Sequence, residues 1–183
     1  MNKYVRASVC VPCGFIKIAF TKLCHISKFS GPLICLMSPH TEITMDRGAE
    51  LRIGKRFKMR DFAKIRVRKG AVCTIGNNTS VNSNNVIACR ERIIIGDDVE
   101  FGTNVQVYDH DHDFRAEGGL KAGMFKTSPV IIGNNVWIGA NTVILRGTEI
   151  GDNCVIGAGY VIKRKYGANS VIVQKRTETT IVY

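Results

Sequence analysis

The chain has 183 residues, 45% of them hydrophobic and 22% charged, with a formal net charge of +11. That length suits one domain with a sizeable core, and the composition excludes both intrinsic disorder and a multi-span membrane protein. The charge is uneven: residues 1–69 carry 15 Lys and Arg against 4 Asp and Glu, whereas residues 70–183 carry 11 of each. A basic half beside a neutral half points to an anionic partner for the first segment: phospholipid, a phosphorylated substrate carrier or nucleic acid.

Residues 1–33 read as a basic amphipathic segment. Within it, residues 12–29 carry a helical pattern in which Ile16, Phe20, Leu23 and Ile26 fall near one face. Lys17, Thr21, His25 and Lys28 line another, and Gly31-Pro32 would stop the helix. Because Lys17, Lys22 and Lys28 interrupt the apolar stretches, none reaches the roughly 18 uninterrupted apolar residues of a spanning helix. No cleavage-site pattern follows either, so a cytoplasmic chain is expected. Two roles stay open for the helix: lying on an anionic bilayer, or covering the end of a repeat structure. Cys10 and Cys13 form a CxxC among seven irregularly spaced cysteines. No second pair completes a zinc site, so they read as reduced, apolar thiols.

From about residue 40 a period of six takes over. Ile53-Gly54, Met59 and Ile65 begin it, and Ile75-Gly76 leads to Val81, Ile87 and Ile93. After a two-residue slip, Ile95-Gly96 leads to Phe101-Gly102 and Val107. Residues 108–129 break the period and must leave the stack as a loop, where solenoids commonly carry function. The loop holds His110 and His112 among Asp109, Asp111 and Asp113, and a carboxylate beside an imidazole suits a general base. The period then returns at its clearest: Ile132, Ile138, Ile144, Ile150, Ile156 and Ile162 fall at six-residue steps. Helical faces repeat near 3.6 residues and half-buried strands every two. A six-step with Gly, Asn and Asp behind the apolar residue instead suits short strands joined by tight turns, with Ile and Val pointing inward.

These repeats and the His-containing interruption resemble the hexapeptide-repeat acyltransferases over about residues 40–165. The likeness is greatest to sugar O-acetyltransferases, including the maltose/galactoside branch and enzymes that decorate capsule and O-antigen polysaccharides. The resemblance implies an all-β fold, a left-handed parallel β-helix at residues 34–165 with the loop 108–129 extruded. A short N-terminal helical segment (1–33) and a tail (166–183) flank it. It also implies acetyl-CoA as co-substrate with no metal required, a sugar or glycan acceptor, a homotrimer with sites between neighbouring prisms, and no nucleic-acid partner. Together with the basic front segment, this suggests a cytoplasmic enzyme peripheral to the inner face of the membrane.

Residue roles follow from the same resemblance. A gap-free count from Ile95 places the catalytic base at His112, and Asp113-Phe114 continues the family's His-Asp-Phe/Trp run. His110 is the reserve, needing a gap, and Asp111 is the carboxylate between them. The backbone N–H of Ala140 would hold the oxyanion. Asn82 and Asn84 would meet the acceptor, although Asn at β-helix turns is an equal reading. Trp137 would lie near the thioester, and Gly139, Ala140 and Ala158 would form a small-residue track for pantetheine. Lys163 and Arg164, with Lys175-Arg176 beyond them, would suit the CoA phosphates. The final VIVQKRTETTIVY departs from the family's Gly-x-Pro-Ala-Lys-like ending. Alternatives are transfer to an amino group or to a small alcohol such as serine, and a non-enzymatic scaffold. A γ-type carbonic anhydrase would need three His ligands, and outside the loop only His25 and His40 exist.

Overall fold

A computed structural model describes residues 3–174. Each circuit of the chain contributes one short strand to each of three parallel sheets. The first face has seven strands, from Phe29–Ser30 to Lys165–Tyr166; the second has seven, from Leu36–Met37 to Val171–Ile172. The third has six, from Glu42–Met45 to Val161–Ile162, so among the described residues six circuits are complete and a seventh has two strands. The prism therefore extends past both expected bounds, residues 34 and 165. The outer circuits hide from a search for Ile-Gly because Tyr166 takes the place of isoleucine at one end, while Phe29 at the other stacks on Leu51 and not on the Ile53 column.

The isoleucine steps form buried ladders. Ile53, Ile75, Ile95, Ile132 and Ile150 stack in register on the first face, and Ile144 stacks on Ile162 on the third. Burying a side chain of this size stabilises by roughly 1.5–3 kcal/mol, which makes the ladder the main apolar support of the prism. At the corners, Asn78, Asn135 and Asn153 take φ values of 53–57°, which asparagine tolerates better than most residues. Their side chains also bond between circuits: Asn78 donates to Asp98 at 2.6 Å and Asn135 to Asn153 at 2.9 Å. Register pairs Ile53 with Ile75, Ile75 with Ile95, Ile132 with Ile150 and Ile150 with Tyr166. The circuits thus shorten towards the C-terminus, and the two-residue slip near Ile93 is one step of that taper.

Helix α1, Lys3–Cys24, covers the N-terminal end of the prism. It begins and ends earlier than the expected 12–29. Pro12 lies inside it on the exposed side, where the Ser8 carbonyl that loses its partner remains open rather than buried. Cys10, Gly14 and Ile18 form the docked side. Lys17, on the helix face apart from the apolar stripe, donates from Nζ to Pro39 O and Thr41 Oγ1, both at 2.9 Å. By length and composition Tyr4–Cys24 is apolar enough to cross a membrane, contrary to the expectation drawn from the interrupting lysines.

Adjacent circuits approach so closely that some corners admit no side chain. A Cβ at Gly76 would stand 2.4 Å from the backbone of Gly96. We therefore expect Gly76→Ala to destabilise the protein by about 3 kcal/mol through overpacking. Gly48→Ala, at φ +77° but with nothing within 4 Å, should cost only about 1 kcal/mol. Urea unfolding of both variants checks the difference, and equal midpoints would contradict the close-approach explanation.

Candidate active site

The extruded loop is not irregular throughout. His110–His112 pairs antiparallel with Phe125–Thr127, and a 3-10 turn, Gly119–Ala122, lies between them. Strand alternation separates what reads in sequence as a mixed Asp/His run. His110 and His112 both meet Phe125, with ring centroids 5.5 and 4.5 Å away. Asp111 turns elsewhere: its Oδ2 accepts from Arg146 Nε at 2.6 Å and lies 3.9 Å from Lys163 Nζ. Asp111 is therefore an anchor of the hairpin on the prism, not a partner of either imidazole.

The carboxylate beside a histidine is Asp109. It is fully buried, and its Oδ1 lies 2.9 Å from His110 Nδ1. The same carboxylate accepts from the backbone N–H groups of Arg90 at 2.8 Å, Glu91 at 2.7 Å and Arg92 at 2.9 Å. Those amides sit at the corner directly below the point where the hairpin leaves, so the carboxylate supplies acceptors where the circuit above is interrupted. Burial alone would raise the Asp109 carboxyl. The hydrogen bonds from His110, the Glu91 and Arg90 amides and the Cys89 thiol outweigh burial and hold it below the usual carboxylate range. An ionised carboxylate only accepts, so His110 donates to it from Nδ1. Cys89 touches this carboxylate at 3.4 Å, yet its hydrogen bond with Cys73, burial and the nearby negative charge all push the thiol up. It is a protonated donor and not a nucleophile.

His112 is the accessible imidazole. It opens onto a hollow of about 200 Å³ lined by Asp111, Asp113, Phe114, Lys126 and Arg146. His110 is nearly covered, its side chain 14% exposed between Tyr108 and Phe125. The Arg90 guanidinium lies 3.4 Å from the centre of the Phe125 ring.

Other sequence candidates lie apart from the hairpin. Trp137 projects from the second face, 57% exposed, over a hollow of about 470 Å³ shared with Asp98, Glu100, Asn135 and Asn153. Gly139, Ala140 and Ala158 form the next corner, which opens the third face. There Gly139 N and Asn141 N bond to Ile156 O and Thr103 O at 2.7 and 2.9 Å, while the amide of Ala140 between them has no such role. At the preceding corner the equivalent amide of Asn134 is taken by Asp152 Oδ1 at 2.6 Å. Ala158 occupies the matching place above Ala140 and has no oxygen to offer. Asn84 is a turn residue at φ 60°, and Asn82 accepts from Ser83 N at 2.9 Å. Lys163 faces the hairpin root through Asp111, while Arg164 is exposed. Lys175 and Arg176 lie outside the described residues. The structure thus brings His110, His112, Asp111 and Lys163 together and leaves Trp137 and Ala140 beyond the third face.

Sequence reasoning did not assign roles to Asp109, Phe125, Arg90 or Arg146. Only Asp109 left a trace, as the residue next to His110. The others come from chain segments 13 to 35 residues away from the groups they meet, and only the folded circuits align them.

Among known families, the hexapeptide repeat of succinyl-transferase matches residues 129–164. The galactoside O-acetyltransferase of Escherichia coli K12 is 39% identical over 102 residues, covering 56% of this chain and 50% of that enzyme. A second protein of the same strain, named as a lipopolysaccharide-biosynthesis O-acetyl transferase, is 28% identical over 176 residues, covering 87% of this chain and 84% of its own. Among solved structures, a hexapeptide-repeat acetyltransferase from Vibrio cholerae O1 biovar eltor, complexed with acetyl-CoA, shares the fold at a TM-score of 0.54 and 19% identity. It covers 92% of this chain and 81% of its own. The chain thus spans about half the length of the galactoside enzyme.

The Asp109 network predicts an acid-dependent stability. A carboxyl depressed in the folded state contributes stability that is present above about pH 4 and lost as the pH falls through its folded value. Asp109→Asn should cost about 2–3 kcal/mol at neutral pH, because three backbone amides lose a charged acceptor. The gap from wild type should narrow as unfolding is repeated towards pH 3. A gap independent of pH would remove the ionised carboxylate from the explanation.

Proposed function

Since the chain belongs to the hexapeptide-repeat acetyltransferase family, we propose that it transfers an acetyl group from acetyl-CoA to a hydroxyl of a sugar, in a surface-glycan precursor. The observation that carries this reading is the hairpin: an accessible imidazole, His112, beside a covered one, His110, held by a buried carboxylate. The acceptor class is supported by the names of the two Escherichia coli relatives, one acting on galactosides and one assigned to lipopolysaccharide O-acetyl transfer.

In this reading His112 takes the proton of the acceptor hydroxyl as that oxygen bonds to the thioester carbonyl carbon. Accessibility favours His112, because a base must reach the proton it removes. His110, fixed through Nδ1 by Asp109, positions the hairpin strand and the Phe125 ring against which His112 packs. The Ala140 amide holds the negative charge that develops on the carbonyl oxygen. As the carbon–sulfur bond breaks, the thiolate of CoA recovers the proton from the His112 imidazolium, giving the ester and free CoA. No side chain is acylated.

Trp137 and the histidines leave the prism from different faces. A site using both is therefore formed between copies, with the hairpin of one chain beside the second face and following corner of the next. We assign the homotrimer expected from the resemblance to this need, with Trp137, Gly139, Ala140 and Ala158 lining the acetyl-CoA side.

Purified protein incubated with acetyl-CoA and a panel of glycosides, an amino sugar and serine tests the proposal. We expect ester formation on a glycoside. His112→Ala should lower kcat by about 10³-fold and His110→Ala by about tenfold to a hundredfold, consistent with the weight of a positioned base. Full turnover by His112→Ala would move the base elsewhere. Absence of acetyl-CoA binding by calorimetry would leave the scaffold reading standing.

A further inference from the structure

Helix α1 is docked by one side only. Ile18 is fully buried, Cys10 and Gly14 line up with it, and Lys17 donates to Pro39 O and Thr41 Oγ1 at the end of the prism. On a soluble protein the opposite side of such a helix carries charge. Here Val9, Ile16, Phe20 and Leu23, spaced seven, four and three apart, stand outward, with Phe20 66% and Leu23 72% exposed. Phe15 broadens this face, and Ile34, in the segment after the helix, is also exposed. Such a contiguous apolar surface marks a contact with something outside the chain.

The surrounding charge selects the occupant. Lys22 is exposed beside Leu23, and Lys28 and Arg47 border the hollow that Leu23 and Ile26 share at the helix end. All of the net charge of +11 lies within residues 1–69. Pairing this face with the same face of a second copy would bring those cations together. An anionic surface would neutralise them. We propose that the outward face of α1 seats the protein on an anionic phospholipid membrane, lying along the headgroup–acyl boundary rather than crossing it.

The docked side argues for the flat orientation. A crossing helix would have to withdraw Ile18 from the prism and break the Lys17 contacts, uncovering the first circuit. A helix left in place needs no rearrangement, because its free side is already the apolar one. Its 22 residues extend for about 33 Å along the boundary, with the cations near its end at headgroup level.

The test uses the full chain with preformed vesicles, either phosphatidylcholine alone or phosphatidylcholine mixed with phosphatidylglycerol. We expect sedimentation with the mixed vesicles, weakened by salt, and little with phosphatidylcholine alone. Ile16→Glu combined with Phe20→Glu should lower the partition constant about a hundredfold without moving the thermal unfolding midpoint, since both side chains are exposed. A second variant, Lys22→Gln with Arg47→Gln, should lose the salt-dependent part while keeping the fold. Wild-type protein that stays in the supernatant, or a Glu variant that sediments like wild type, overturns the proposal. So does light scattering in which the Glu variant breaks an oligomer, because the face would then join copies of the chain. Bound protein that resists carbonate extraction would indicate a crossing helix and overturn the flat orientation. None of these readouts depends on acetyl transfer, so they stand or fall apart from the proposed reaction.

Discussion

In a solenoid of this kind each circuit completes its backbone hydrogen bonds through the circuits on either side. Wherever a neighbouring circuit is missing or diverted, another group must take its place or the polar atoms stay open. Three features answer to that one constraint. At the N-terminal end, Lys17 Nζ reaches the carbonyls of Ser38 and Pro39, which have no circuit beneath them. Where the hairpin leaves, the Asp109 carboxylate takes the amides of Arg90, Glu91 and Arg92. At Ala140 nothing replaces the missing acceptor, because Ala158 stands where the neighbouring corner has Asp152. Two of these substitutions hold the fold together. The third leaves an amide without a backbone acceptor from the next circuit.

The prism itself was legible because its signal is repetitive and inward. Isoleucine at a fixed step must point into the same interior on every circuit, so Ile132 to Ile162 announce their own stacking. The ends were less so. Tyr166 stands where the ladder would have isoleucine, Phe29 stacks on Leu51 outside that ladder, and the expected bounds fell short at both ends. The helix was legible as amphipathic, but neither its bounds nor its docking side was. The side of α1 that docks is a narrow one with Gly14 and Ile18. Lys17 is drawn to carbonyls there, and the broad stripe of Ile16, Phe20 and Leu23 stays outside.

The candidate site was legible as a place and less so as a set of roles. An interruption of the period locates the hairpin, and its composition indicates acid–base chemistry. Which carboxylate serves which imidazole depends on strand alternation and on the shortened corner at Arg90–Arg92, neither of which a linear reading displays. Asp111 looked like the natural partner because it lies between two histidines, yet alternation sends it to Arg146. Asp109 is drawn inward by three amides and holds His110 from below. The distance between Trp137 and the hairpin is likewise a property of the three-sided prism: residues that seem close in the repeat end on different walls.

The covered first circuit also bears on how copies of this molecule can meet. A parallel β-solenoid with two bare ends is a template for unlimited growth, since the last rung of one copy matches the first rung of the next. Here α1 lies across the starting rung, with Ile18 seated and Lys17 engaged. End-to-end addition would first have to strip the helix away. Growth into filaments is thereby blocked at one terminus, and the long walls of the prism are left as the faces open to association.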